Sequence, residues 1–192
     1  GILMSSAAGN DLLFDESLMM QGRNFANKIW NGFRLVNGWE VSSEIEQPAS
    51  AKLAIEWYRS KFMETLHFIE KQFDQYRLSD ALTAIYKLIW DDFSSWYLEL
   101  IKPGFGEPID SRTLEATLTF LEENLKILHP FMPFISEEIW QYVKERGVED
   151  ALIITKYPQI EKYDADLLTD FEKVKEIVSA IRNLRKEKGI SF

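Results

Sequence analysis

The stretch Ile55-Glu-Trp-Tyr-Arg-Ser-Lys-Phe-Met-Glu-Thr-Leu-His-Phe-Ile-Glu-Lys-Gln-Phe73 decides the fold class. Its apolar residues Ile55, Tyr58, Phe62, Leu66, Ile69 and Phe73 recur at spacings of 3, 4, 4, 3 and 4, which puts them on one side of a helix. A helix of this kind needs apolar partners, and the flanking sequence supplies them. Upstream, Gly38 and the polar stretch Glu40 to Gln47 form a link, and Pro48 suits the first turn of this helix, which should run to about Tyr76. Downstream, Ser79 suits the cap of a further helix. Its main stripe is Leu78, Leu82, Ile85, Ile89, Phe93, Trp96 and Leu100, widened by Tyr86, Trp90 and Tyr97. That breadth predicts neighbours on more than one side and a central place in a bundle.

The pattern continues. Lys102 to Pro108, with Pro103, Gly104, Gly106 and Pro108, reads as a connector, since its glycines lack the setting of a phosphate cradle. Asp110 or Ser111 can start another helix with the stripe Leu114, Leu118, Leu121, Leu125 and Leu128. Pro130 ends it near His129, and Pro133 begins the next, through Phe134, Ile135, Ile139, Trp140 and Val143. Beyond Gly147, the β-branched run Ala151 to Lys156 reads as a short strand. A last helix follows from about Asp166, with Leu167, Phe171, Val174, Val178 and Ile181 inward. Arg182, Arg185, Lys186 and Lys188 at its end complement the negative helix terminus. The expected fold is all-α: a bundle of about five helices over 1–146 and a small C-terminal extension, strand plus helix, over 147–192.

Composition narrows the function classes. With 192 residues, 46% hydrophobic and 14% aromatic, the chain has ample material for a core. The absence of cysteine removes disulfides, zinc thiolates and thiol nucleophiles. His67 and His129 fall on different helices without a metal-ligand spacing, so no metal is expected. No basic residue precedes Arg23 and no run approaches membrane-spanning length, so neither a signal peptide nor a membrane segment is expected. Gly1 and an ending directly after a patterned helix make the chain read as an excised piece. Catalysis finds little support. Asp91 and Asp92 point about 100° apart on a helix and read as a solvated face. No Gly-x-Ser-x-Gly motif or Gly-rich nucleotide loop is present. The chain is expected to be catalytically inert.

Binding is different. Ser17 to Trp39 carries Arg23, Lys28 and Arg34 and no carboxylate, in a chain of net charge −9. At about 100° per residue, Arg23, Arg34, Asn27, Asn31, Asn24 and Lys28 share an arc of roughly 140°. Phe25, Ala26, Ile29, Trp30, Phe33 and Val36 gather opposite. Cations and amides are the donors that suit phosphate oxygens and base edges. A merely solvated polar face fits the charge spacing as well. The acidic remainder should repel nucleic acid, so any such contact is local.

Three ordered segments go further: Gly22-Arg-Asn-Phe-Ala-Asn-Lys-Ile-Trp-Asn31, Ile89-Trp-Asp-Asp-Phe-Ser-Ser-Trp-Tyr-Leu-Glu-Leu-Ile-Lys-Pro103 and Leu128-His-Pro-Phe-Met-Pro-Phe-Ile-Ser-Glu-Glu-Ile-Trp140. In this order they resemble the anticodon-binding region of the valyl-tRNA synthetase family, and Ala180-Ile-Arg-Asn-Leu-Arg185 resembles the helix after the bundle in that family. The resemblance implies a cytoplasmic class I synthetase that joins valine to its tRNA using ATP, with catalytic and editing domains elsewhere in the same polypeptide. The His-x-Gly-His and Lys-Met-Ser-Lys-Ser signatures are absent here, so this stretch itself would need no cofactor. The implied partner is the anticodon stem-loop of tRNA(Val), bound by a monomer through Arg23, Asn27, Lys28, Asn31 and Arg34. Lys28 is the implied phosphate contact, and Arg34 with the Asn residues the implied base contacts. Two departures stand out: Leu35 occupies a position where family members can offer an aromatic, and the Leu12-Leu13-Phe14 approach offers no cation. The second and third segments read as packing. Two alternatives remain: an isoleucyl- or leucyl-type anticodon module, and a helical protein-interaction module without RNA binding.

Overall fold

The computed structural model describes residues 16–147 and 149–190, so the Leu12-Leu13-Phe14 approach lies outside the described residues. Helix α1 spans Glu16–Asn37 and is followed by the two-residue strand β1, Val41–Ser42. Helix α2 is Ala49–Asp74, and α3, Leu78–Lys87, runs unbroken into a π-helical segment, Leu88–Tyr97, and a closing turn α4, Leu98–Ile101. Strand β2, Ile109–Asp110, leads into α5, Ser111–Leu128; then come α6, Pro133–Val143, a 3-10 turn at Leu152–Ile154, and α7, Ala165–Glu187. The all-α expectation holds. The one sheet among the described residues is a parallel pair in which Val41 faces Ile109 and Ser42 faces Asp110. It ties the link after α1 to the start of α5, where the buried Asp110 carboxylate accepts from the Thr113 N–H at 2.9 Å as the helix cap.

Helix α2 is the spine. Tyr58, Phe62, Leu66 and Ile69 are buried as their spacing requires, with Ile55 and Phe73 half-buried. Tyr58 meets Phe93, Tyr97 and Phe120 with ring centres 5.4, 5.0 and 4.9 Å away. Its hydroxyl donates to Asn124 Oδ1 at 2.9 Å, so the polar tip is satisfied inside the core. Burial pushes that phenol well above its ordinary value. Trp57, off the apolar stripe, is fully buried as well. The reason is α7, which covers a second side of α2 and lays Phe171 on Trp57 at 4.1 Å and 21°.

The central helix departs from simple periodicity. The Leu98 N–H donates to the Phe93 carbonyl, five residues back, while the Ser94 and Ser95 hydroxyls donate to the carbonyls of Ile89 (2.7 Å) and Trp90 (2.9 Å), also five back. This wider winding rotates later side chains off the 3.6-residue stripe. Tyr97, Leu98 and Ile101 are therefore buried, whereas Trp96 is half-buried and Leu100 exposed. Leu78, at the open start of the helix, is exposed too.

Other expectations are corrected. Ala151 to Lys156 is not a strand: with no neighbouring strand to pair with, only Leu152 plugs into the core, and its N–H donates to Glu137 Oε2 at 2.9 Å. The cap position of α3 is Arg77 rather than Ser79, and Pro48 precedes α2 rather than lying in its first turn. Helix α7 begins at Ala165, capped by Asp164, whose Oδ1 accepts from the Leu167 N–H at 2.9 Å. Its inward residues are Leu168 and Phe171, with Leu167 and Val178 half-buried, while Val174 and Ile181 are exposed because α7 touches the bundle along only part of its length.

Asp92 is the largest correction. Asp91 is solvated, but Asp92 is buried and receives Lys175 Nζ of α7 at 2.7 Å. Lys175 also lies 5.0 Å from the centre of the Trp57 ring. Burial raises the Asp92 pKa above the ordinary carboxylate value, with the Lys175 bond pulling the other way.

Candidate nucleic-acid interface

Helix α1 is amphipathic, and its two faces have separate tasks. Phe25, Ile29, Phe33 and Val36 are buried, with Trp30 half-buried and edge-on to Tyr142 of α6 at 6.2 Å. Gly32 faces the central helix, where a Cβ would make ordinary contacts, 3.7 Å from Leu98 Cδ1 and 4.0 Å from Ser94 Oγ. These contacts fix which side of the helix looks outward. On that side Arg23, Asn24, Asn27, Asn31 and Arg34 are all exposed. Residues 23, 27, 31 and 34 follow each other at helical-neighbour spacing and form one stripe about 16 Å long at 1.5 Å rise per residue. Two amides lie between two guanidinium groups along it, offering donors for phosphate and both donors and acceptors for base edges.

Lys28 belongs to the same surface but not to the same stripe. It is half-buried; its ammonium donates to Ser95 Oγ at 3.1 Å and lies 4.8 Å from the centre of the Trp90 ring. Trp90 is stacked on Tyr86 at 5.4 Å and 16°. Leu35 is exposed beside Arg34. The helix ends without crowding, as Gly38 donates its N–H to the Arg34 carbonyl at 3.1 Å.

The helical period places Arg23, Asn24, Asn27, Asn31 and Arg34 on the exposed face, where they are found, but puts Lys28 with them and misses the groups behind it. Trp90 was legible only as packing, and Ser95 carried no signal in an α-helical reading, where residues five apart lie about 140° apart. His67 and His129 have their partners elsewhere. His67 Nε2 lies 3.2 Å from the Glu161 carbonyl oxygen and His129 Nδ1 lies 2.8 Å from Ser136 Oγ. No helix among the described residues is long and apolar enough to cross a membrane.

Fold and face together describe an all-α bundle in which the run from Ser17 to Trp39 is free of carboxylates while the chain as a whole is acidic. The family described as the anticodon-binding domain of tRNA ligase matches residues 56–192, from within α2 onward. The chain belongs to that family. Curated relatives extend the similarity through α1. A valine–tRNA ligase of Christiangramia forsetii is 56% identical over 192 residues, all of this chain. One of Parabacteroides distasonis is 48% identical over 190 residues, and one of Fusobacterium nucleatum 36% over 202, each covering 99% of this chain. The chain spans about 22% of the length of each of these relatives.

Proposed function

We propose that this chain recognises the anticodon of valine tRNA as one part of an enzyme that joins valine to that tRNA at the expense of ATP in the cytoplasm. The observation that carries this reading is the α1 stripe, where Arg23, Asn27, Asn31 and Arg34 are exposed together and Lys28 stands at its edge. The names of the relatives support valine over isoleucine or leucine as the amino acid. Adenylation, transfer and editing belong to other parts of such an enzyme; a monomer needs only this face for the anticodon.

Physically the module supplies selectivity. Valine tRNAs share the second and third anticodon letters, and unstacked loop bases present edges that amides and guanidinium groups can pair with. A wrong base leaves a donor or acceptor unpaired in the contact, which costs on the order of 1 to 3 kcal/mol. Phosphate neutralisation by the cations adds affinity without sequence information. The test is equilibrium binding of an RNA hairpin carrying a valine anticodon loop over a salt series. Arg23→Ala or Arg34→Ala should weaken binding and leave the thermal midpoint within about 0.5 kcal/mol of stability, as for an exposed substitution. Unchanged RNA affinity in both variants would remove the stripe from the contact.

A further inference from the structure

Within the proposed contact set, Lys28 is built differently from its neighbours. Arg23, Asn27, Asn31 and Arg34 are exposed, whereas Lys28 is half-buried and already engaged by a hydroxyl and a ring face. Its acceptor, Ser95, in turn donates to the Trp90 carbonyl at 2.9 Å, so hydroxyl and indole belong to one socket. The indole is backed by Tyr86, and Phe25, three residues before Lys28, lies 4.7 Å from that Tyr86 ring. Lys28 and Phe25 thus grip the same aromatic pair from one face of α1.

The socket exists because of the π-helical winding. In an α-helix positions 90 and 95 would lie about 140° apart and could not converge on one ammonium. Bonding five residues back brings the Ser95 hydroxyl onto the Trp90 carbonyl. The buried residues that seat α1, Phe25, Ile29, Phe33 and Val36, contribute apolar burial, which is non-directional. A charge-assisted bond is directional and adds a constraint on the roll of the helix about its own axis.

Resting on the anticodon-binding reading above, we propose that Lys28 is a positioning residue: through Ser95 and Trp90 it sets the direction in which the Arg23 to Arg34 stripe faces the RNA, and it does not itself neutralise a phosphate. Salt dependence separates the two roles, because each phosphate contact to a single strand contributes about 0.7 to the slope of log affinity against log salt.

The experiment measures binding of the whole chain to an RNA hairpin carrying a valine anticodon loop across a salt series, for wild type, Lys28→Met, Ser95→Ala, Ser95→Thr, the Lys28→Met/Ser95→Ala pair and Arg23→Ala. Lys28→Met should weaken binding roughly 5- to 30-fold, a part of what the lost charge-assisted bond and cation–π contact contribute to seating α1, with the salt slope unchanged. Ser95→Ala, which keeps the lysine and spares the fold most, should also weaken binding at constant slope. Ser95→Thr should restore it, and the pair should bind no worse than Lys28→Met alone. Arg23→Ala should lower the slope by about 0.7. A slope that falls by that amount in Lys28→Met, losses that add in the pair, or wild-type affinity in both single variants would overturn the proposal. If wild type fails to bind the hairpin, the anticodon reading falls and this inference falls with it; if wild type binds and the variants behave otherwise than stated, only the inference falls.

Discussion

Replacing Phe171 by Ala tests how α7 is held. Helix α7 has 23 residues but buries only Leu168 and Phe171, while Val174, Ile177, Ile181 and Leu184 on its later turns are exposed. Phe171 contributes the larger share, through its stack on Trp57 and its edge contact with Trp96 at 6.4 Å. Truncating a buried Phe costs about 3 to 5 kcal/mol. The one other buried side chain of α7, Leu168, is worth about 1.5 to 3 kcal/mol, and the half-buried Leu167 and Val178 and the cation–π contacts of Lys175 and Arg182 with Trp57 and Trp96 add only small increments. The Asp92–Lys175 pair cannot make up the difference, because burying the carboxylate already works against its own charge. Helix α7 should therefore detach while the bundle stays folded. Hydrogen exchange read by mass spectrometry is the assay: amides of 165–187 should lose protection to near the exchange of an unfolded peptide, while those of α2 and α5 keep theirs. If instead α7 keeps its protection and the whole molecule loses stability by the full amount in one transition, α7 is part of the single cooperative unit and the reasoning fails.

Two further outcomes follow from the capping and charge geometry. Asp110→Ala removes the buried cap of α5 and should cost about 1 to 2 kcal/mol in denaturant unfolding, with Asp110→Asn recovering most of it because an amide oxygen can accept from Thr113; equal losses in both variants would show that the charge, not the cap, matters. The raised folded pKa of Asp92 means that the native state holds its proton where the unfolded chain has already released it, so this residue's contribution to stability declines as pH rises from the ordinary carboxylate value through the raised one. The stability of wild type minus that of Asp92→Asn should fall over that window, and a difference that is flat or rises with pH contradicts the assignment.

The parts of this fold that could be read from the sequence are those decided by nearest neighbours along one helix. The α2 stripe from Tyr58 to Ile69 is buried as its spacing demands, and the prolines at 130 and 133 bracket the turn between α5 and α6. The two faces of α1 separate as a 3.6-residue period requires, which is why the stripe of Arg23, Asn27, Asn31 and Arg34 was legible. What escaped depends on partners distant in sequence or on backbone winding. Trp57 and Asp92 are buried by α7, whose Lys175 is 83 residues beyond Asp92, and no local pattern announces that. The π-helical segment changes the period itself, so Leu100 falls outside and Leu98 inside. The same winding hides the Ser95–Trp90 socket from any reading at 100° per residue. Its one sequence trace is the pair Ser94-Ser95, whose hydroxyls reach the carbonyls of Ile89 and Trp90.

The central claim is that this module reads anticodon letters and does more than attract RNA by charge. Its most direct test compares, at one fixed salt concentration, the affinity of the chain for a hairpin with a valine anticodon loop and for hairpins in which the second or third anticodon letter is exchanged. Phosphates and stem are identical in all of them, so the electrostatic contribution cancels. Each exchange should weaken binding by about 1 to 3 kcal/mol, roughly 5- to 150-fold. Equal affinity for all the hairpins would contradict anticodon recognition by this chain.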